Sequence, residues 1–336
     1  MAGRGILALT ALLALTAATA HAAFAPLDHP GPRLTVPKAK LAASLRCTES
    51  VRHATREPVL LAPATTVDSE ENFGWNYERL FTASGIPFCT TDQLAPGRQN
   101  MTDMQTRAEY VVYAIRRVYH MAGRRIAVMG HSQGGMIMRW PLRFWPDVRP
   151  MVEEVIGMAG TNHGTTAIEP LCSNGCAPAL WQQRAVSNWT KALNSRQETF
   201  AGIDYTEIYS HSDEFVQPNN DDTGSSSLHG PGRITNVATQ DICPGDTMEH
   251  LLIGTIDPVT SALVMDALGH PGPAREKRID PAVCNAAAMP GYDPVTGSGA
   301  LADAVARVAY ELGTATKAPA EPKLRCYVTA SCRGRS

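Results

Sequence analysis

Short, continuously apolar runs alternate along the chain with longer stretches in which apolar residues return every three or four positions. The runs are Pro58-Val-Leu-Leu-Ala-Pro63, Ile86-Pro-Phe-Cys89, Arg125-Ile-Ala-Val-Met129, Glu154-Val-Ile-Gly-Met-Ala159, Tyr205-Thr-Glu-Ile-Tyr-Ser210 and Arg233-Ile-Thr-Asn-Val-Ala238. Runs this short and this apolar fit strands buried on both faces. A helix is predicted to start at Asp68 or Ser69 and to stop at Gly85. Another carries Met104, Ala108, Val111, Val112, Ile115 and Val118 on one face and ends at Gly123. Thr102-Asp-Met-Gln105 predicts its capping box, with Thr102 at the N-cap and Gln105 at N3. Further helices are predicted over 258–268 and 300–312. Strands alternating with helices imply an α/β fold, with a mostly parallel central sheet flanked by helices.

No linker divides this pattern, so residues 23–336 are expected to form a single domain. Residues 23–56 are Pro-rich and read as an arm along the surface. Residues 161–200 form a long insert after a core strand, the natural place for a small cap over a site. Residues 221–232 are rich in Gly and Ser and read as an exposed loop. An Ala/Pro-rich tail occupies about 314–336.

Composition narrows the classes further. The 336 residues are 44% hydrophobic and 18% charged, which suits a large buried core and argues against disorder throughout. Lys and Arg minus Asp and Glu is 30 − 32 = −2, so no basic field favours nucleic acid. No repeat points to a collagen, coiled coil or solenoid.

The N-terminus has one early charge, Arg4, an apolar run from Ile6 to Ala18, and Ala20-His21-Ala22. This predicts a signal peptide over 1–22, cleaved before Ala23, and hence a secreted protein. The run is shorter than the roughly 20 residues that span a bilayer, and no later stretch is expected to span one. Eight cysteines, at 47, 89, 172, 176, 243, 284, 326 and 332, fit an oxidising compartment and four disulfides of open connectivity. There is no Cys-x-x-Cys and no His pair at ligand spacing, so no zinc site is expected, and the chemistry read from the residues below needs no metal or organic cofactor. Asn100-Met-Thr102 and Asn188-Trp-Thr190 match the N-glycosylation pattern.

Gly130-His131-Ser132-Gln133-Gly134 carries the chemistry. It follows a predicted strand and opens a predicted helix, as a nucleophile elbow requires. The turn is so sharp that the residues two positions before and after the serine must lack side chains, which Gly130 and Gly134 do. Ser132 is the candidate nucleophile. The Gln133 N–H, at the helix start, is a candidate donor to an oxyanion.

A serine hydroxyl needs a base, and in this arrangement the acid and then the histidine follow the serine in the chain. Asp213 lies just past the run ending at Ser210, with Glu214 as its neighbouring rival; the shorter side chain is the better fixed orienter. His250 lies in the loop after the run ending at Ala238. Its rivals are His229, in a loop before that run, and His270, at a helix end. A second oxyanion donor should come from Ala64-Thr65-Thr66, after the first buried run, where Thr65 and Thr66 are equal candidates.

From about Cys47 to Ala267 the chain resembles the Candida antarctica lipase B family of α/β-hydrolases, with its secreted bacterial relatives. The resemblance rests on Pro58-Val-Leu-Leu-Ala-Pro-Ala-Thr65, Glu109-Tyr-Val-Val-Tyr-Ala-Ile115, Ser132-Gln-Gly-Gly135, Trp181-Gln-Gln183, Ile208-Tyr-Ser-His-Ser-Asp-Glu-Phe-Val-Gln-Pro218 and Glu249-His250. It implies the α/β-hydrolase fold, with Ser132 as nucleophile, Asp213 as acid, His250 as base, and Thr65 and Gln133 at the oxyanion. It further implies that Gln183 and Val216 line the acyl pocket. It pairs Cys47 with Cys89, Cys243 with Cys284 and Cys326 with Cys332, which leaves Cys172 with Cys176.

Two departures stand out. His131 occupies the position of a bulky Trp that narrows the family's alcohol pocket. The C-terminal helix, very apolar in the family, here carries Asp303, Arg307 and Glu311, with Leu301, Ala304, Val305 and Val308 available for an apolar face.

The expectation is therefore a secreted serine carboxylic-ester hydrolase, a lipase or esterase, working through an acyl-enzyme. Its partners would be ester or lipid substrates, met at a lipid–water interface. Hydrolysis of polyesters or surface lipids with the same triad, and a catalytically silent hydrolase-like binding protein, are the alternatives.

Overall fold

A computed structural model of the protein describes residues 23–94 and 100–332. The expected signal peptide, 1–22, and the last residues of the tail lie outside the described residues.

Seven strands form one sheet: β1 (Leu45–Cys47), β2 (Val59–Ala62), β3 (Phe88–Thr91), β4 (Ile126–His131), β5 (Val152–Met158), β6 (Asp204–Tyr209) and β7 (Arg233–Ala238). Their order is β1-β3-β2-β4-β5-β6-β7. All neighbours run parallel except β1, which is antiparallel to β3. β2 and β4 are completely buried because both faces of the sheet are covered. Alternate side chains feed two cores, as the two-residue period of a strand requires. Leu60, Ala62 and Val128 join one core, whereas Val59, Leu61, Ala127 and Met129 join the other.

The first core is closed by helices α1 (Met104–Ala122) and α2 (Gln133–Phe144). α1 buries the stripe from Met104 to Val118 that its spacing predicts and ends at Gly123 in the left-handed region, φ 64°. Its start differs from the predicted box. Asp103, not Thr102, is the N-cap, and its carboxylate accepts the Gln105 N–H at 3.0 Å. The Gln105 side chain donates instead to the Lys323 carbonyl, tying α1 to the tail. The second core packs under α3 (Pro258–Gly269). A fourth helix, α4 (Pro294–Thr314), begins with proline at its first turn and lies over the C-terminal edge of the sheet.

Three further expectations are corrected. The arm 23–56 is not only a surface segment: it supplies β1, whose Cys47 faces Cys89 of β3 directly and is disulfide-bonded to it. The predicted helix after Ser69 is broken into a π-turn, Glu70–Gly74, and a helix, Tyr77–Ala83, because Asn72 and Asn76 turn their amides to neighbouring backbone. And one later run, His250–Gly269, is long and apolar enough by composition to cross a membrane, at mean hydropathy 1.5. Here it is interrupted at Gly254–Asp257 and mostly buried, and Ile253, Val259, Leu263, Val264, Ala267 and Leu268 pack into the second core.

The other disulfides join Cys172 to Cys176, Cys243 to Cys284 and Cys326 to Cys332. The tail docks into the first core: Val328 is fully buried and the Tyr327 hydroxyl accepts the Trp140 indole N–H at 3.0 Å. The insert is anchored too, through Trp189 stacked on Trp140 with ring centroids 4.3 Å apart.

Candidate active site

β4 passes directly into α2, and Ser132 is the hinge between them. Its backbone sits at φ 55°, ψ −120°, a strained region for any residue with a Cβ. The turn is tolerated because glycines stand two residues to either side. A Cβ on Gly134 would lie 2.1 Å from the Ala62 carbonyl oxygen, and one on Gly130 2.2 Å from the carbonyl carbon of Gly134.

The loops beyond β6 and β7 bring two more side chains to Ser132. His250 Nε2 is 2.9 Å from Ser132 Oγ, and His250 Nδ1 is 2.8 Å from Asp213 Oδ2. The other carboxylate oxygen of Asp213 accepts the N–H groups of Phe215 and Val216, both at 2.8 Å. Those two bonds hold the carboxylate in place beside the imidazole. Glu214 points elsewhere, accepting the backbone N–H of His250 at 3.2 Å. His229 and His270 are not brought to the serine: the His229 backbone is bonded to Glu198, and His270 sits over Asp266 at the end of α3. Burial pulls the pKa of His250 down, but the charge and hydrogen bond of Asp213, with Glu214 and Glu249 nearby, outweigh it and hold the imidazole above its ordinary range.

Thr65, on the loop after β2, and Gln133, at the start of α2, meet through their side chains. The Gln133 side chain donates to Thr65 Oγ1 at 3.1 Å, and so does the Gln183 side chain. Thr66, the alternative, turns its hydroxyl back onto the Thr65 carbonyl and adopts φ 73°.

A family model described as lipase (class 2) matches residues 88–250. Lipase B of Pseudozyma antarctica is 32% identical over 216 residues, which are 63% of this chain and 61% of that protein. The chain thus spans about three-fifths of the length of that relative. The crystal structure of Aspergillus fumigatus lipase B superposes with a TM-score of 0.80 at 27% identity, covering 89% of this chain and 73% of that one. The fold is that of the α/β-hydrolases.

In this fold Ser132 and His250 open into a cavity of about 550 Å³, within the range of small-molecule sites. Gln183 and Val216 line it, as do Ile168, Leu171 and Leu180 of the insert. α4 contributes Val305, Val308, Ala309 and Leu312. The charged residues of α4 leave this face free: Arg307 pairs with Glu71 at 2.7 Å on the adjoining π-turn.

His131 is only 1% exposed. Its Nε2 donates to the His250 carbonyl at 2.9 Å, and its ring lies 5.2 Å from that of His250. Burial, reinforced by the charge of His250, depresses its pKa to about 3, so it stays neutral beside His250.

Sequence reasoning missed the polar scaffold behind the loop Ala64–Val67. Asn72 Oδ1 accepts the Ala64 N–H at 2.8 Å. Asn100 donates to the carbonyls of Ala64 and Val67, at 2.9 and 2.7 Å. That amide is 1% exposed, so the glycosylation match at Asn100 is a packing residue here. Arg107 reaches the Gln133 side chain and the Pro63 carbonyl. Its one sequence signal is a charge on the apolar stripe of α1, three residues after Met104 and one before Ala108. Among the described residues no group of three or more His, Cys, Asp or Glu side chains could hold a metal ion.

Proposed function

We propose that the protein is a secreted carboxylic-ester hydrolase that works through Ser132, His250 and Asp213. The observation that carries this reading is the unbroken hydrogen-bonded line from Asp213 through His250 to a strained, cavity-facing Ser132. His250 takes the Ser132 proton as Oγ attacks the ester carbonyl. Asp213 keeps Nδ1 protonated, so that Nε2 is free to accept, and stabilises the imidazolium. The N–H groups of Thr65 and Gln133, with the Thr65 hydroxyl, receive the oxyanion. Collapse expels the alcohol, which takes its proton from His250, and water then releases the acid by the same relay in reverse.

The apolar cavity supports an acyl chain held between the insert and α4, with Gln183 and Val216 beside its carbonyl end. Residues 23–336 act in this reading as one domain, with 161–200 as its cap. Four disulfides support an extracellular setting, in keeping with the leader read over 1–22.

The test is hydrolysis of p-nitrophenyl esters from acetate to palmitate. Turnover should rise from acetate to longer chains that fill the cavity; no turnover of any ester would contradict the reading. The pH profile adds a second check. His250 acts as a base only when neutral, and its pKa is raised. Activity should therefore be full at alkaline pH and fall as the pH drops through a midpoint above the ordinary histidine value of about 6.5. A midpoint well below that value would remove His250 from the role.

A further inference from the structure

Arg107 is 1% exposed and lies beneath the oxyanion loop. Its guanidinium donates to the side-chain carbonyl of Gln133 and, at 2.6 Å, to the backbone carbonyl of Pro63. Among the described residues it has no carboxylate within ion-pair distance; the charge it feels is the more distant Asp92. Burial lowers its pKa to about 9, which leaves it cationic at neutral pH. A buried cation with neutral partners is costly, so the groups it meets matter.

Both partners belong to the oxyanion site. Pro63 precedes Ala64 and Thr65 on the loop after β2, and Gln133 is the first residue of α2. An arginine can only donate, so it fixes which end of the Gln133 amide faces it. Oε1 must turn to Arg107, and Nε2 is left to donate to Thr65 Oγ1 at 3.1 Å and to the Asn100 carbonyl at 3.0 Å. Thr65 Oγ1 then accepts from both Gln133 and Gln183, each at 3.1 Å. Its lone pairs are occupied and its own hydrogen is left with a long 3.3 Å contact to Gln183 Oε1. A developing oxyanion can take that hydrogen.

We propose that Arg107 is a positioning residue for the oxyanion site, a buried countercharge that orients a one-way chain of donors through Gln133 to the Thr65 hydroxyl. The proposal rests on the ester-hydrolase reading of Ser132. Each link strengthens the next, because a donor bonded to a cation is itself polarised. The gain appears only as negative charge forms on the substrate oxygen, so it acts on the transition state and not on substrate binding.

The test compares the parent with Arg107→Gln and Arg107→Lys, counting competent sites by phosphonate titration of Ser132. Arg107→Gln should lower kcat per titrated serine on the order of 10²-fold with little change in KM. The affinity for an alkylboronic acid, which mimics the tetrahedral state, should fall by the same factor. Arg107→Lys, which keeps the charge, should restore much of both. A purely structural role would reduce the titratable fraction and leave kcat per site intact.

If Arg107→Gln gives no titratable protein, Gln133→Met is read in the same way, because it cuts the chain one link later and keeps its own backbone N–H. The proposal is overturned by a kcat per titrated serine within about threefold of the parent, or by a loss confined to KM. A parent with no titratable serine overturns the ester reading itself and this proposal with it; normal parent titration with an unaffected variant overturns this proposal alone.

Discussion

Ser132→Ala is expected to abolish ester turnover, with kcat reduced on the order of 10⁶-fold. The size of the loss follows from how the site is built. The imidazole is held at 2.9 Å from the hydroxyl and 2.8 Å from the carboxylate, so nucleophile and base act as one unit. Without Oγ, a histidine and an oxyanion site remain, and they can do no more than assist direct attack by water. Alanine removes a single oxygen from a position already strained at φ 55°, so the fold should persist. Circular dichroism and thermal unfolding of the variant should match the parent. Turnover within tenfold of the parent would show that another nucleophile operates, because about 1.4 kcal/mol is far too little for losing the attacking atom.

Asp213→Asn should reduce kcat by about 10⁴-fold and also move the pH profile. The carboxylate accepts three hydrogen bonds, from His250 Nδ1 and from the N–H groups of Phe215 and Val216. An amide of the same shape presents its NH₂ to one of these donors. If it faces Nδ1, it favours the tautomer whose proton sits on Nε2, and that tautomer cannot take the serine proton. Loss of the negative charge also withdraws the main influence that raises the His250 pKa, leaving burial to lower it. The residual activity should therefore fall off at a lower pH than in the parent. An unmoved acid limb would mean that Asp213 is not what raises His250.

The parts of the molecule that were legible in the sequence are those dictated locally. β2 and β4 announce themselves as apolar runs because burial on both faces leaves no position for a polar residue. The elbow is legible because its turn admits few side chains. β1 was not legible: three residues, Leu45–Cys47, carry no period, and their pairing is set by β3 from the far side of a helix. The start of α1 was misread by one residue, since Thr102 and Asp103 are both good caps and only Asp103 can also reach Gln182 and Arg325.

The polar scaffold behind the loop Ala64–Val67 shows the other limit. Asn72, Asn100 and Arg107 have no mutual spacing that marks them, because their partners are carbonyls and N–H groups of one loop brought near by the sheet. The apolar face of α4 lay between. Val305 and Val308 were visible as a stripe, but their place over the cavity depends on how α4 crosses the sheet edge.

The most direct measurement is reaction of the folded protein with an alkyl fluorophosphonate, followed by peptide mass mapping. The account predicts a single adduct per chain, on Ser132, formed rapidly in the parent and very slowly in His250→Ala. An adduct on any other residue, or none on protein with an intact fold, would contradict it.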